Sequence, residues 1–366
     1  MSGVRILAAL RAPVAPRGGA LSRLELHELA APVLRSAVAE AGLTLDEVDE
    51  LVLGNALGAG GNPARLVALA AGLPERVAGL TLDRQCCGGL DALVMGAALI
   101  AAGQAEVVLA GGVESYSRRP LRLRTDPDGG PARGYDRPPF TPWPALDPEM
   151  DAAADALGQE GGISRAAQDF WAIESHRKAL CADFSAEIIP LAGLPGDAFT
   201  RALSPRLAAR APVLSGSITA ANAAVAADGA ALCVLVSERV AARLGRQGLC
   251  YLGGLTLGGR PYRPGLAPVA AIRTLLDRHG LRAEDLSVAE VMEAYAVQAI
   301  ACVEGAGLDP EIVNPGGGGL ARGHPVGASG AINAVRLFHE LRKRGGTGIA
   351  AIAAAGGLGT AVLLSS

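Results

Sequence analysis

A chain of 366 residues, half of them hydrophobic, has room for one large or two to three ordinary domains and buries a core with ease, which excludes a disordered protein. With aromatics at 3% and 49 glycines it offers no stacking platform for bases, and a net charge of -3 gives no general attraction to nucleic acid or an anionic membrane. Its six cysteines, Cys86, Cys87, Cys181, Cys233, Cys250 and Cys302, show neither metal-type C-x-x-C pairing nor disulfide-framework density, and read as reduced thiols of a cytoplasmic protein.

In chain order, residues 4–10 read as a first strand. Met1 to Ala8 is too short and too lightly charged for a signal peptide, Arg11, Pro13 and Pro16 interrupt it, and no uncharged apolar stretch reaches membrane-spanning length. Leu24, Leu26, Leu29, Ala30, Val33, Leu34 and Val38 predict a helix over 23–41 that Gly42 stops. Thr44 or Asp46 caps a short element before a buried strand over 50–55, and Asn62-Pro63-Ala64-Arg65 opens a helix that Gly72 and Pro74 close. From Thr81, β-prone residues lead into Cys86, directly ahead of an Ala/Leu/Val-rich helical run that reaches Gly103, so the thiol is expected at a strand-to-helix turn. Unpaired backbone N–H groups and the helix macrodipole favour a thiolate there, the form an acyl-accepting nucleophile needs. Most cysteines are buried small hydrophobes, so this stretch alone leaves packing and catalysis both open. Residues 106–112 then read as a central strand, after which Tyr116 to Leu214 changes character. Arg118, Arg119, Arg122, Arg124 and the prolines around Pro138-Pro139 and Pro142-Trp143-Pro144 mark an irregular insertion, followed by a helical section over 164–181. The arginines form either a solvated face or a contact for ligand phosphates.

The same grammar returns about 240 residues later, and such repeats decide architecture before any motif does. Leu34-Arg35 through Gly42-Leu43 and Asp46-Glu47-Val48 resembles Ile272-Arg273 through Gly280-Leu281 and Glu284-Asp285-Leu286, which precedes a strand over 288–292. The Gly89 helix with its Gly-Gly-ending strand corresponds to the Gly330 helix and a strand over 349–352. Two related α/β halves are the economical reading.

Several blocks then fall in one order: Asn62-Pro63-Ala64-Arg65, the run Asp83-Arg84-Gln85-Cys86-Cys87-Gly88-Gly89-Leu90, Ala110-Gly111-Gly112-Val113-Glu114-Ser115, Ser175-His176, Glu293-Ala294-Tyr295-Ala296, and Asn314 through Gly318 to Gly323-His324-Pro325-Val326-Gly327-Ala328-Ser329-Gly330. Over essentially its whole length the chain resembles the thiolase family, enzymes that cleave or form 3-oxoacyl-CoA thioesters. The resemblance implies that Cys86 takes an acyl group from CoA, that Cys87 is a helix-packing thiol, and that His324 polarises the thioester carbonyl and helps deprotonate the nucleophile. His27, His176, His279 and His339 lie in helical patterns and read as surface or packing residues.

Three departures qualify the resemblance. The family's second catalytic cysteine falls on Ala353 when Gly356-Gly357-Leu358-Gly359 is laid on the glycine-rich pattern, and alanine moves no protons. The asparagine that holds an oxyanion-hole water falls on Met292, with Glu293 retained beside it. The serine of an Asn-Ala-Ser-Gly block falls on Ala224, and the family's His-Met pair is replaced near Asp147-Pro148. Acyl transfer onto Cys86 is expected to survive these changes. The second step then needs another base, His324 or Glu293.

The expected fold is a five-layered α/β/α/β/α arrangement. An N-terminal half (1–116 with 215–246) carries the nucleophile, a loop domain spans 117–214, and a C-terminal half (247–366) carries the histidine. The expected sites are Cys86, His324 and Glu293 for catalysis and Met292, Ala224, Ala353, Ala355 and Gly356 for substrate, with no metal and no cofactor beyond CoA thioesters. The expected activity is acyl transfer in carbon–carbon bond formation or thiolysis by a homodimer or homotetramer. The alternatives are a condensing enzyme of specialised metabolism that lacks thiolysis, and a non-catalytic CoA-binding or scaffold subunit. The absence of a G-x-S-x-G elbow disfavours a simple hydrolase.

Overall fold

A computed structural model describes residues 3–58 and 60–366. Strands β1 (Val4–Arg11) and β2 (Ala15–Pro16) precede α1 (Leu26–Glu40), β3 (Glu50–Gly54), α2 (Pro63–Ala71), β4 (Leu80–Leu82), α3 (Gly88–Ala101) and β5 (Val107–Glu114). A middle stretch holds the β6–β7 hairpin (Leu123–Arg124 with Arg133–Gly134), α4 (Met150–Gly161), α5 (Arg165–Cys181), α6 (Pro205–Ala209) and the β8–β9 hairpin (Val213–Ser215 with Ile218–Thr219). After it come β10 (Ala227–Ser237), α7 (Glu238–Leu244), β11 (Leu249–Gly258), α8 (Ala267–Arg278), β12 (Val288–Val291) and α9 (Ala296–Ala306). The last elements are α10 (Gly319–Arg322), α11 (Val326–Arg344), β13 (Thr347–Ala354) and β14 (Leu358–Ser365).

Local chemistry sets several boundaries. Asn62 accepts the Arg65 N–H with Pro63 in the first helical position, and Gly72 ends that helix in the left-handed conformation at φ 83°. Ser164 caps α5 by accepting the Ala167 N–H at 3.2 Å. Thr44 and Glu47 form a capping box on the short 3₁₀ turn before β3.

The duplication is written in the sheet. Its strand order is β12-β13-β14-β11-β1-β10-β5-β3-β4. One half therefore reads β3-β5-β10-β1 and the other β12-β13-β14-β11, with matching directions: parallel for the first pair, antiparallel for the next two. The halves join where β1 pairs antiparallel with β11, Val4 opposite Tyr251 and Ile6 opposite Leu249.

Alternation along the strands then builds the layers, because successive side chains point to opposite faces. On β10, Ala231, Cys233 and Leu235 enter a central core with α3 and α11, whereas Leu232, Val234 and Val236 face α1 and α2. On β13, Ala350 and Ile352 join the same central core while Ile349 and Ala351 face α8 and α9. The result is α1 and α2, a half-sheet, α3 with α11, a second half-sheet, and α8 with α9. Both faces of each half-sheet are covered, which is why its strands read as nearly unbroken apolar runs.

The segment after α5 is fastened to both halves by buried charge. Arg11 of β1 donates to Glu187 at 2.7 Å and to Asp197 at 2.7 Å, Arg336 of α11 donates to Glu187 at 2.5 Å, and the two guanidinium groups lie 5.3 and 4.9 Å from the centre of the Phe184 ring. Arg11, Glu187 and Arg336 are each at most 1% exposed. Among the described residues, no helix is long and apolar enough to cross a membrane.

Candidate active site

Cys86 sits in a 3₁₀ turn, Gln85–Cys87, between β4 and α3, the strand-to-helix position expected for it. Gln85 takes the left-handed conformation at φ 46°, costly for a residue with a Cβ, and the Asp83 carboxylate holds the turn by accepting the Gln85 N–H at 3.0 Å. The turn divides its two thiols. Cys87 points inward, donating to the Ile352 carbonyl at 3.5 Å within the central core, while Cys86 is half-buried beside it.

His324 arrives from the other half, after Gly323 at φ 108°, and its backbone N–H donates to the Val225 carbonyl at 2.8 Å. Its Nε2 lies 3.2 Å from the Cys86 Sγ. On the other side of the ring, Nδ1 lies 2.6 Å from the Ser329 hydroxyl, which also donates to the Pro325 carbonyl at 3.0 Å. A serine has one hydroxyl proton. With that proton on Pro325, Nδ1 carries the imidazole proton, and the Nε2 lone pair faces the thiol.

Close approach of the two central helices makes this meeting possible. A Cβ on Gly89 of α3 would stand 2.7 Å from the Gly327 carbonyl of α11, one on Gly330 would stand 2.6 Å from the Leu90 nitrogen, and one on Gly112 of β5 would overlap Gly327. Only glycine allows backbones that near.

Electrostatics correct one expectation. Burial pushes the Cys86 thiol up to about 12, with Glu114 and Asp83 adding to the rise, although its own backbone N–H acts in the opposite direction. Burial also lowers His324 to about 4. Desolvation outweighs the helix terminus, which favours neutral thiol and neutral imidazole over the anticipated thiolate.

The other anticipated residues divide into two groups. Ala224 donates its N–H to the Ala294 carbonyl at 2.9 Å, and its neighbours Ala223 and Ala226 bridge Tyr295 and His324, so this segment lies along the site. Ala353 is the penultimate residue of β13, opposite Gly359 and one residue beyond the carbonyl that receives the Cys87 thiol. Ala355 and Gly356 form the following turn, where the Phe140 carbonyl lies 2.9 Å from the place of a Gly356 Cβ. Met292 and Glu293 instead face inward beneath the glycine-rich loop. The Met292 methyl lies 2.5 Å from the place of a Gly319 Cβ and joins the central core.

Glu293 is 1% exposed, and four donors occupy its oxygens: the Trp171 indole at 3.0 Å, Asn314 at 2.9 Å, the Ser175 hydroxyl at 2.6 Å and the Leu320 N–H at 3.3 Å. A carboxylate so engaged clamps α5 to the loop ahead of α10, and the expectation of a free base at this position gives way to that geometry.

The insertion's arginines are likewise engaged within the chain. Arg118 pairs with Glu25, Arg119 with Asp136, Arg122 donates to the Ala56 carbonyl at 3.0 Å, and Arg124 lies 5.4 Å over the Tyr135 ring. Two of the histidines assigned to packing are buried: His176 on α5 and His339 on α11, the latter 2.7 Å from the Ala9 carbonyl.

Sequence reasoning assigned no role to Ser329, Tyr116, Tyr295 or Glu114. Tyr295 donates to the Asp151 carboxylate of α4 at 2.6 Å, and burial raises both tyrosines, with Asp151 adding to the rise at Tyr295. Ser329 and Glu114 stand inside the quoted motif blocks, so the signal was present. Which atoms they touch depends on the fold.

Two family models match the chain: "Thiolase, N-terminal domain" over residues 4–239 and "Thiolase, C-terminal domain" over residues 250–366. Among curated relatives, the "putative acetyl-CoA C-acetyltransferase YhfS" of Bacillus subtilis is 39% identical over 95% of this chain and 94% of its own. VraB of Staphylococcus aureus, named in the same way, is 35% identical over 100% of both chains. Among solved structures, the Acat5 thiolase from Ascaris suum in complex with coenzyme A superposes with a TM-score of 0.92 at 32% identity, covering 100% of each chain. The Bacillus anthracis acetyl-CoA acetyltransferase gives 0.92 at 36% identity, over 100% of this chain and 99% of that one.

Proposed function

From the premise that the chain belongs to the thiolase family over both of that family's domains, we propose that it is an acyltransferase of the thiolase type that takes an acyl group from an acyl-CoA onto Cys86 and uses His324 as the base of both half-reactions. The observation that carries this reading is the 3.2 Å contact between Cys86 Sγ and an imidazole nitrogen whose partner nitrogen is held by Ser329.

In the first half-reaction Nε2 accepts the thiol proton as Sγ attacks the thioester carbonyl, and the imidazolium returns that proton to the departing CoA thiolate. The acyl-Cys86 thioester and CoA-SH result, and His324 is neutral again. The second half-reaction begins from the same nitrogen. In thiolysis acyl-Cys86 forms instead by attack of Sγ on the 3-oxo carbon, whose bond to the α-carbon breaks. The departing carbanion takes the proton from His324 and leaves as an acyl-CoA, and Nε2 then takes the proton of an incoming CoA-SH, whose sulfur attacks the acyl-Cys86 carbonyl. In condensation it takes a proton from the α-carbon of a second acyl-CoA, and the carbanion attacks the acyl-Cys86 carbonyl. Cys86 departs as a thiolate in either case and recovers a proton from His324. Ala353 offers no group for that second proton, and the four donors on Glu293 support a positioning role for it.

Acylation of Cys86 is tested by intact-protein mass spectrometry after incubation with acetyl-CoA. The wild-type chain is expected to gain one acetyl group and Cys86→Ala none, and an acetylated Cys86→Ala variant sinks the assignment. The alanine at 353 also favours a second reading, a condensing enzyme with little thiolysis. Rapid cleavage of a 3-oxoacyl-CoA by free CoA counts against it.

A further inference from the structure

Glu114, the last residue of β5, is fully buried and takes no part in the proton transfers above. Five hydrogen-bond contacts end on its carboxylate from within and across the halves. Oε1 accepts from the Asn55 amide at 2.7 Å and the Leu57 N–H at 3.2 Å. Oε2 accepts from the Ala56 N–H at 2.9 Å, from the Gly327 N–H at 2.9 Å, and at 3.4 Å from the Leu57 N–H that Oε1 shares. Gly327 belongs to the first turn of α11, three residues past His324, and the 55–57 turn follows β3, whose Gly54 backs onto Gly88 and Gly89 behind Cys86. One carboxylate thus grips the helix start that carries the imidazole and the turn that backs the thiol. In its ionised form it also stands at the positive end of a 19-residue helix, where it offsets a field that otherwise favours a thiolate.

We propose that Glu114 is a positioning residue for the Cys86–His324 pair: its bonds to Gly327 and the 55–57 turn hold the two groups in register across the halves, and its negative charge adds to the desolvation that disfavours the thiolate. The proposal rests on the reading of Cys86 and His324 given above. The groups that face Cys86 are His324, Glu114, Asp83, Tyr116, Tyr295 and the neighbouring Cys87, of which Glu114 and Asp83 are the acids raising the thiol. Burial raises Glu114 itself to about 7 against the pull of its backbone donors, so it is an anion through the alkaline range in which the thiol ionises.

The test is alkylation of the full chain by iodoacetamide at pH 8 to 10, below the Cys86 midpoint of about 12, where the rate follows the thiolate fraction and a midpoint about one unit lower reads as a roughly tenfold faster rate. It is read by peptide mass spectrometry at Cys86 with the exposed Cys181 as internal reference. This readout needs no substrate, so it stands apart from the acetyl-labelling test. Glu114→Gln removes the charge and is expected to lower the midpoint for Cys86 by about one unit relative to Cys181. It is also expected to slow acyl transfer roughly tenfold, because Gly327 and the 55–57 turn lose acceptors. Asn55→Ala loosens the same turn and leaves the charge, so its midpoint stays with the wild type. Glu114→Asp also keeps the charge but draws it back by one methylene, so it retains the wild-type midpoint while losing acyl-transfer rate. It decides the question if the glutamine variant fails to fold. An unmoved midpoint in Glu114→Gln, or an equal shift in Asn55→Ala or Glu114→Asp, overturns the proposal.

Discussion

Ser329 does at the scale of one hydroxyl what the proposed chemistry requires of the ring: it chooses the tautomer. Ser329→Ala releases Nδ1 from its 2.6 Å partner, and kcat for acyl transfer is expected to fall about tenfold while KM for the acyl-CoA changes little. A KM effect of equal size argues instead for a role in binding. Ala353→Cys tests the missing group directly. A thiol beside the Cys86–Cys87 turn is expected to raise thiolysis of a 3-oxoacyl-CoA roughly tenfold or more, measured against an unchanged rate of Cys86 acetylation. The same pair gives a pH expectation. Because burial holds His324 near 4, its nitrogen is free to accept a proton above that value, and the acid limb of kcat/KM for acetylation is expected below pH 5 rather than near the ordinary 6.5 of histidine. Cys86 and His324 were legible in the sequence, since one precedes a helical run and the other sits in a glycine loop of a matching repeat. Their protonation was not legible. It follows from desolvation by residues hundreds of positions away, which the local helix-terminus argument omits.

At the scale of elements, the α3–α11 crossing holds the two reactive groups together. Gly327→Ala puts a methyl 2.7 Å from the Asn55 Cα and 2.9 Å from the Gly54 carbonyl, both backbone atoms that cannot turn aside. Thermal unfolding is expected to report a loss of about 1–3 kcal/mol, with a slower acetylation rate in the variant that still folds. A variant as stable and as fast as the wild type shows the crossing to be looser than this. The helices with marked starts and stops were readable from sequence: α2 begins at Asn62-Pro63 and ends at Gly72, and α5 begins at Ser164. The strand β10 was not. Its run from Ala227 to Ser237 is buried throughout, so no polar face marks an alternation, and what makes it central is its pairing with β1 and β5. The helix α4 was also missed, and it lies in a stretch whose prolines suggested irregularity throughout.

At the scale of the whole molecule, buried charge fixes how the middle stretch sits on the two halves. Arg336→Met leaves Glu187 and Glu340 without a shared partner in the interior, and about 3–5 kcal/mol of stability is expected to be lost in denaturant unfolding. The acids of this cluster respond to pH in opposite senses. Burial raises Glu290, which lies 3.8 Å from the Arg336 guanidinium, from 4.5 to about 7, so its contribution falls as pH rises through that window. Arg11 and Arg336 overcome burial at Glu187 and hold it near 2, so its contribution is present above 4.5 and fades as pH drops toward 2. Glu290→Gln is expected to flatten the decline between pH 4.5 and 7 and to leave the acid side unchanged. The repeat was visible in sequence because each half repeats its own helix-glycine-strand order. The seam between β1 and β11 was hidden, since three residues near the start must find three that lie beyond residue 248. That seam has a kinetic consequence. Contacts so distant along the chain close late, and neither half owns both the sulfur and the ring. In refolding from denaturant, helical circular dichroism should therefore recover first and turnover only afterwards, which makes catalysis itself a clock for the last docking event.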